Sequence, residues 1–312
     1  MIAASTTIVG ELETSLGVPT FAFFANWSGE YSVDADEEAG RLLTSMIVDR
    51  LRYEKVDDVA IVLGARGGYP AFADAVLRAM EQLDVGLQVI IPCRIGGSIG
   101  LVAVGADQVT FHPRAGISAV DSGPCVVPRK KLDASLIAHC PVDALDLGQV
   151  EQGEEPLYAR LAYDRLIRDD QRRMACHLAS GLGADEVAAE ALFESTLGQG
   201  MTVGASQLAE LGVDARVAPV PLAEQLEELL EWATDTVQLF AEPEDRFEVS
   251  DSLADEVEFK PATKVSAAAI VGVEAVWLHE LDTGSPDPDA PRLLGKWRRW
   301  DPEGHGELSP PE

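Results

Sequence analysis

Val59-Ala-Ile-Val-Leu-Gly-Ala-Arg-Gly-Gly68 and Leu87-Gln-Val-Ile-Ile-Pro-Cys-Arg-Ile-Gly-Gly-Ser-Ile-Gly100 repeat one pattern: an apolar β-branched run, a glycine-rich turn, then a helical stretch. The runs at residues 59–63 and 87–91 predict buried strands. Between them Phe72, Ala75, Val76, Ala79 and Met80 recur at helical spacing. Beyond them residues 99–106 predict a helix that is apolar on every side and therefore buried. Residues 108–111, QVTF, give a third strand. Strands alternating with helices at this spacing predict a parallel sheet with right-handed crossovers.

Working outward, residues 18–27, VPTFAFFANW, predict a further buried strand that opens the core. Residues 37–53 place Leu42, Leu43, Met46, Ile47 and Leu51 at helical spacing. Asp34, Asp36, Glu37 and Glu38 precede or open that helix, where negative charge favours the N-terminus. Residues 92–97 read as a simple turn. Residues 124–155, with Pro128 and Arg129-Lys130-Lys131, read as loop and lid material before helices over 157–180 and 184–193. Residues 206–211 predict a short helix closed by Gly212, and residues 222–239 a helix with Leu226, Leu229 and Leu230 on one face. A hairpin is expected over 265–278. Pro, Gly, Asp and Glu dominate residues 282–312, which predicts a poorly ordered tail. The expected organisation is a core over 1–215, a helical and hairpin region over 216–281, and the tail over 282–312.

Asp and Glu outnumber Lys and Arg by 53 to 24, a formal charge of −29. A surface of that sign repels nucleic acid and anionic lipid, so neither is an expected partner. Cys93, Cys125, Cys140 and Cys176 lack metal-ligand spacing, and no Cys-x-x-Cys pair occurs, so they read as thiols of a reducing compartment with no metal or cofactor implied. The opening residues, MIAASTTIVGELETS, carry no basic n-region, and no apolar run reaches spanning length. A cytoplasmic protein is the expectation.

Gly67-Gly68 lies between a buried strand and a helix, where consecutive backbone N–H groups can hold a developing oxyanion. The same pair can equally serve a tight turn that needs glycine's freedom. The second turn leaves the neighbouring strand at the same end and adds the hydroxyl of Ser98 beside Gly97. Gly96-x-Ser98-x-Gly100 has the spacing of a nucleophile elbow, with the strand before and the helix after that an elbow requires. An α/β-hydrolase would also need an acid and then a histidine downstream, and no downstream histidine falls in a strand-end loop. A serine nucleophile needs a base, either His with a carboxylate or a Lys of lowered pKa. Lys130 and Lys131 follow the site loop in a chain of only six lysines. His112 and His139 read as structural. Arg66 puts positive charge beside the oxyanion position.

These motifs resemble those of the serine dehydrogenase proteinases, relatives of signal peptide peptidase A within the ClpP/crotonase superfamily. The resemblance covers about residues 18–213. It is carried by Ile61-Val-Leu-Gly-Ala-Arg-Gly-Gly68, by Ile90-Ile-Pro92 with its serine turn, by Ala103-Val-Gly-Ala-Asp107, by His112-Pro-Arg-Ala-Gly-Ile-Ser-Ala-Val-Asp121, and by residues 200–212. It implies an α/β, ClpP/crotonase-type spiral of strand–turn–helix units with a helical C-terminal subdomain, assembled as a homo-oligomer. It further implies serine peptidase-like hydrolysis of a peptide or protein substrate. Ser98 would be the nucleophile, the Gly67 and Gly68 amides the oxyanion hole, Asp121 part of the loop near the active site, and Lys130, Lys131 or a nearby His the base.

The chain departs from the family in three places, one of them the His near the family's closing turn, which is replaced here around Leu197. Counted back from Asp107 without gaps, the family's nucleophile falls on Gly97, ten positions earlier. One residue at a helix N-terminus turns a side chain by about 100°. The family's Pro before Gly-Gly is Arg66 here, which favours an anionic ligand or a C-terminal carboxylate. Two readings stay open: a hydrolase acting through Ser98, or a catalytically degenerate homologue whose groove binds a peptide or a partner subunit. A crotonase-like acyl-CoA enzyme is a third, but the chain lacks the basic cluster that CoA phosphates require.

Overall fold

Along Thr20–Ala25 (β1), Phe21, Phe23 and Ala25 turn to one face and Ala22 and Phe24 to the other, and all five are buried. The computed structural model of the protein describes residues 2–26, 35–52, 54–65, 68, 70–96, 99–118, 202–210, 212–237, 264–282, 295–301 and 307–308. The same two-faced burial continues in Asp58–Gly64 (β2), Gly86–Ile91 (β3) and Gln108–Phe111 (β5). A strand buried on both faces needs a layer on each side, and the helices supply them.

β1, β2, β3 and β5 pair in parallel, in that order, followed by the edge strand Ala215–Val217 (β8). The crossovers between successive strands run through Glu37–Leu51 (α2), Pro70–Leu83 (α3) and Ile99–Val104 (α4). The sheet grows in one direction, so right-handed crossovers must all fall on one face. Leu43 and Ile47 of α2, Phe72 and Val76 of α3 and Leu101 and Val102 of α4 accordingly share one core with Phe23, Ile61 and Val89. Asp36 caps α2 by accepting a hydrogen bond from the Ala39 N–H (2.9 Å), as the acidic run before it predicts. Every residue of α4 is buried, again as its sequence requires.

The opposite face is covered by Ile2–Leu16 (α1) and Val220–Val237 (α6), which pack on each other. Val9 and Leu12 join Leu226, Leu229 and Trp232 over Phe24, Val62 and Ile90. Pro219 and Pro221 bracket the start of α6, where a missing N–H removes no helical bond. Ala205–Glu210 (α5) is closed by Gly212 at φ +90, with Val213 N–H donating to the Leu208 carbonyl (3.3 Å). That is the left-handed stop expected of Gly212.

Two regions differ from the sequence reading. Residues 92–97 are not a plain turn: Arg94–Ile95 (β4) forms a second, small sheet with Gly116–Ser118 (β6) and Thr202–Val203 (β7). A proline follows each strand where it departs: Ile91 and Phe111 are register partners, and Pro92 and Pro113, just beyond them, each remove one N–H donor, on the β2 side and the β8 side of the pair. The last rung is His112 N–H to the Ile91 carbonyl (2.9 Å), after which both strands leave for the second sheet.

The second difference lies near the C-terminus. The hairpin expected over 265–278 forms as Lys264–Val271 (β9) and Val276–Asp282 (β10), and β9 pairs antiparallel with β1 inside the main sheet. Lys296–Trp300 (β11) and Glu307–Leu308 (β12) then extend the same sheet, within a segment read as a poorly ordered tail. Trp297 packs on the core of one face and Trp300 on that of the other, so the aromatic content of KWRRW outweighs its three charges. The helices expected over 157–180 and 184–193, and the lid over 124–155, lie outside the described residues.

Candidate functional site

Parallel pairing in register brings the carboxyl ends of β1, β2, β3 and β5 to one edge of the sheet, where α/β proteins commonly place ligands. Both glycine-rich turns leave from that edge. They are joined directly: the Gly96 N–H of the second turn donates to the Ala65 carbonyl of the first (3.3 Å).

Gly68 closes the first turn at φ +138. A Cβ there would lie 2.9 Å from both the Cβ and the carbonyl oxygen of Ala35, just before α2. Only glycine fits that backbone and that gap. Gly100, at the start of α4, packs on Ile117 of β6, which ties the second turn to the small sheet. Arg66, Gly67, Gly97, Ser98, Asp121, Lys130 and Lys131 all lie outside the described residues. The residues that flank the first four, Ala65, Gly68, Gly96 and Ile99, are buried or half-buried.

Two histidines stand at this end of the fold. His112 is buried, and its Nδ1 accepts from the Arg114 N–H (3.2 Å). That leaves the proton on Nε2, which faces the Glu227 carboxylate of α6 at 3.3 Å, while the Arg114 guanidinium grips the same carboxylate. With Nδ1 engaged by a backbone amide and Nε2 beside a carboxylate, His112 ties the end of β5 to α6. Asp107 is likewise structural: its Oδ2 accepts from the Leu87 N–H (2.8 Å) and fastens β5 to β3.

His279 was not singled out by its sequence. It stands in register with Ala268, which pairs in turn with Ala25, so it lies level with the carboxyl end of β1. Its ring meets Trp297 edge-on at 5.1 Å, and its Nδ1 is buried with no hydrogen-bond partner among the described residues. Burial pushes the imidazole below its ordinary value of 6.5, while the Asp36 charge pulls the other way. The unfolded chain therefore binds this proton more readily. The stability His279 contributes is complete above about pH 6.5 and is lost as pH falls below it. Thermal unfolding from about pH 8 to about pH 5.5 should show a falling midpoint, and a smaller fall in His279→Gln. Equal slopes for the two proteins would refute this.

Among the described residues no group of three or more His, Cys, Asp or Glu is placed to hold a metal ion, and no helix is long and apolar enough to cross a membrane. No protein-family model and no curated protein matches the chain. Among solved structures, ClpP1 from Listeria monocytogenes is similar over 67% of this chain and 98% of that one, at 10% identity and a TM-score of 0.38. A likeness this slight carries no argument about mechanism.

Proposed function

We propose that the chain is a serine peptidase-like protein of the ClpP/crotonase type, receiving a peptide carbonyl between its two glycine-rich turns. The observation that carries this reading is the Gly96 to Ala65 hydrogen bond, which makes one site of two turns at the carboxyl ends of adjacent parallel strands. The handover of β3 and β5 to a second sheet through β4 and β6 supports the spiral architecture that the sequence motifs imply.

In this reading the Ser98 hydroxyl attacks the carbonyl carbon and passes its proton to Lys130, Lys131 or a neighbouring histidine. The Gly67 and Gly68 amides hold the oxyanion. Collapse of the tetrahedral species expels the amine, which takes up the proton, and water then releases the acyl group from Ser98. Arg66 and Asp121 border the site, and Arg66 favours a substrate carboxylate. The protein works as a homo-oligomer in the cytoplasm and needs no cofactor.

A second reading has its own support. The Gly68 φ and its contact with Ala35 account for that glycine by packing alone, and both ring nitrogens of His112 are engaged in contacts that join elements of the fold. If Gly97 occupies the nucleophile position, the same groove binds an extended peptide or a partner subunit without cutting it.

Intact-mass spectrometry after fluorophosphonate treatment separates the two. The wild type should gain one adduct and Ser98→Ala none. A folded oligomer that takes up no probe would leave the binding module standing and remove the hydrolase.

A further inference from the structure

At the opposite pole of the main sheet, beyond the amino end of β1, the C-terminal half of α2 and the β9–β10 turn border a shallow cleft that opens to solvent. It shares no residue with the glycine turns. Trp277 and Arg299 line it, and as register partners across β10 and β11 they project from the same face. Phe21 and Met46 supply further apolar wall.

The charges in this cleft are arranged in two unlike groups. Arg50 of α2 meets Glu13 (3.0 Å) and Glu274 (3.0 Å), which line the cleft together with Asp49, and Glu54 (3.1 Å) just outside it. Burial works against its charge, but these carboxylates outweigh it and raise the guanidinium pKa above its ordinary value. One cation among three carboxylates leaves that group net negative. Arg299 is the reverse case: among the described residues it has no side-chain hydrogen bond or ion pair, and its Nε is sealed from water. A buried Nε–H without an acceptor is costly, and Arg299 carries one at the wall of this cleft.

A simple anion would satisfy Arg299 but face the carboxylates. A simple cation would satisfy the carboxylates and leave Arg299 unpaired. We propose that the cleft binds a small zwitterion, an amino acid with an apolar or aromatic side chain. Its carboxylate pairs with Arg299, its ammonium meets the Glu13 and Glu274 group, and its side chain lies against Phe21, Met46 and Trp277. Arg presents a planar fork matched to a carboxylate, and the aromatic walls suit the ligand body.

The test is isothermal titration of the full chain with L-phenylalanine, 3-phenylpropionate and 2-phenylethylamine, which carry both charges, the negative one and the positive one. L-Phenylalanine should bind saturably and the two others about tenfold or more weakly. Arg299→Gln should weaken L-phenylalanine and 3-phenylpropionate by about tenfold and leave 2-phenylethylamine unchanged. Glu274→Gln, on an exposed turn, should weaken only the two amines, and it serves if Arg299→Gln fails to fold. No saturable binding of L-phenylalanine up to about 10 mM would overturn the site. So would unaltered affinity in a folded Arg299→Gln, and 3-phenylpropionate binding as tightly as the amino acid would overturn the zwitterion.

Discussion

Phe23→Ala should lower the unfolding free energy by about 3–5 kcal/mol. Phe23 is fully buried in the middle of β1, between β2 and β9, and its ring meets Phe72 of α3 at 4.8 Å. Removing it leaves a cavity bounded by backbone that three strands hold in register. Neighbouring side chains therefore have little freedom to collapse into the space, and the cost belongs at the upper end for such a substitution. Urea unfolding followed by far-UV circular dichroism measures it directly. A loss below about 1 kcal/mol would mean that the α2 and α3 layer does not pack on β1 as described.

Gly68→Ala should cost about 2–4 kcal/mol, although it adds a single methyl group. Two penalties combine: φ +138 is strained for any L side chain, and the new Cβ would press on Ala35 at 2.9 Å. The control is Gly10→Ala in α1, where a Cβ meets nothing within 4 Å. That change should stabilise by about 0.5–1 kcal/mol through helix propensity. Opposite signs for the two glycines, measured by the same denaturant titration, would establish that the first turn is fixed by backbone geometry. A change within about 0.5 kcal/mol at Gly68 would remove that conclusion.

The parallel core was legible because its signals are local. Each strand of the doubly buried type is a short apolar run, α2 and α3 show helical spacing, and Gly212 announces a stop. α1 was not legible. Its Ser, Thr and Gly residues are poor helix formers, and Ser5, Thr7 and Thr14 return their hydroxyls to carbonyls one turn back (2.7, 2.8 and 2.9 Å). What keeps it helical is Val9 and Leu12 against α6, a contact between residues more than two hundred positions apart. β4 and β6 were missed because a two- or three-residue strand has no periodicity. β11 was missed because charge and the surrounding Pro-rich composition masked two aromatic anchors. At the site, the pairing of the turns could be expected from the repeated pattern. The setting of His279 could not, since it depends on β10 lying two strands from β1.

The place of β9 beside β1 bears on how the chain is made. Phe24 pairs with Gly64 on one side and with Ala269 on the other. A ribosome adding about 5–20 residues per second delivers the second partner roughly 10–50 s after the strand itself. For that interval one of the most apolar strands in the protein has an unpaired edge, and α1 has no α6 to lie on. Such an edge is a template for wrong pairing with other chains. Shielding β1 until the hairpin emerges would guard against that pairing, and a nascent chain that stalls before residue 264 keeps the edge of β1 open.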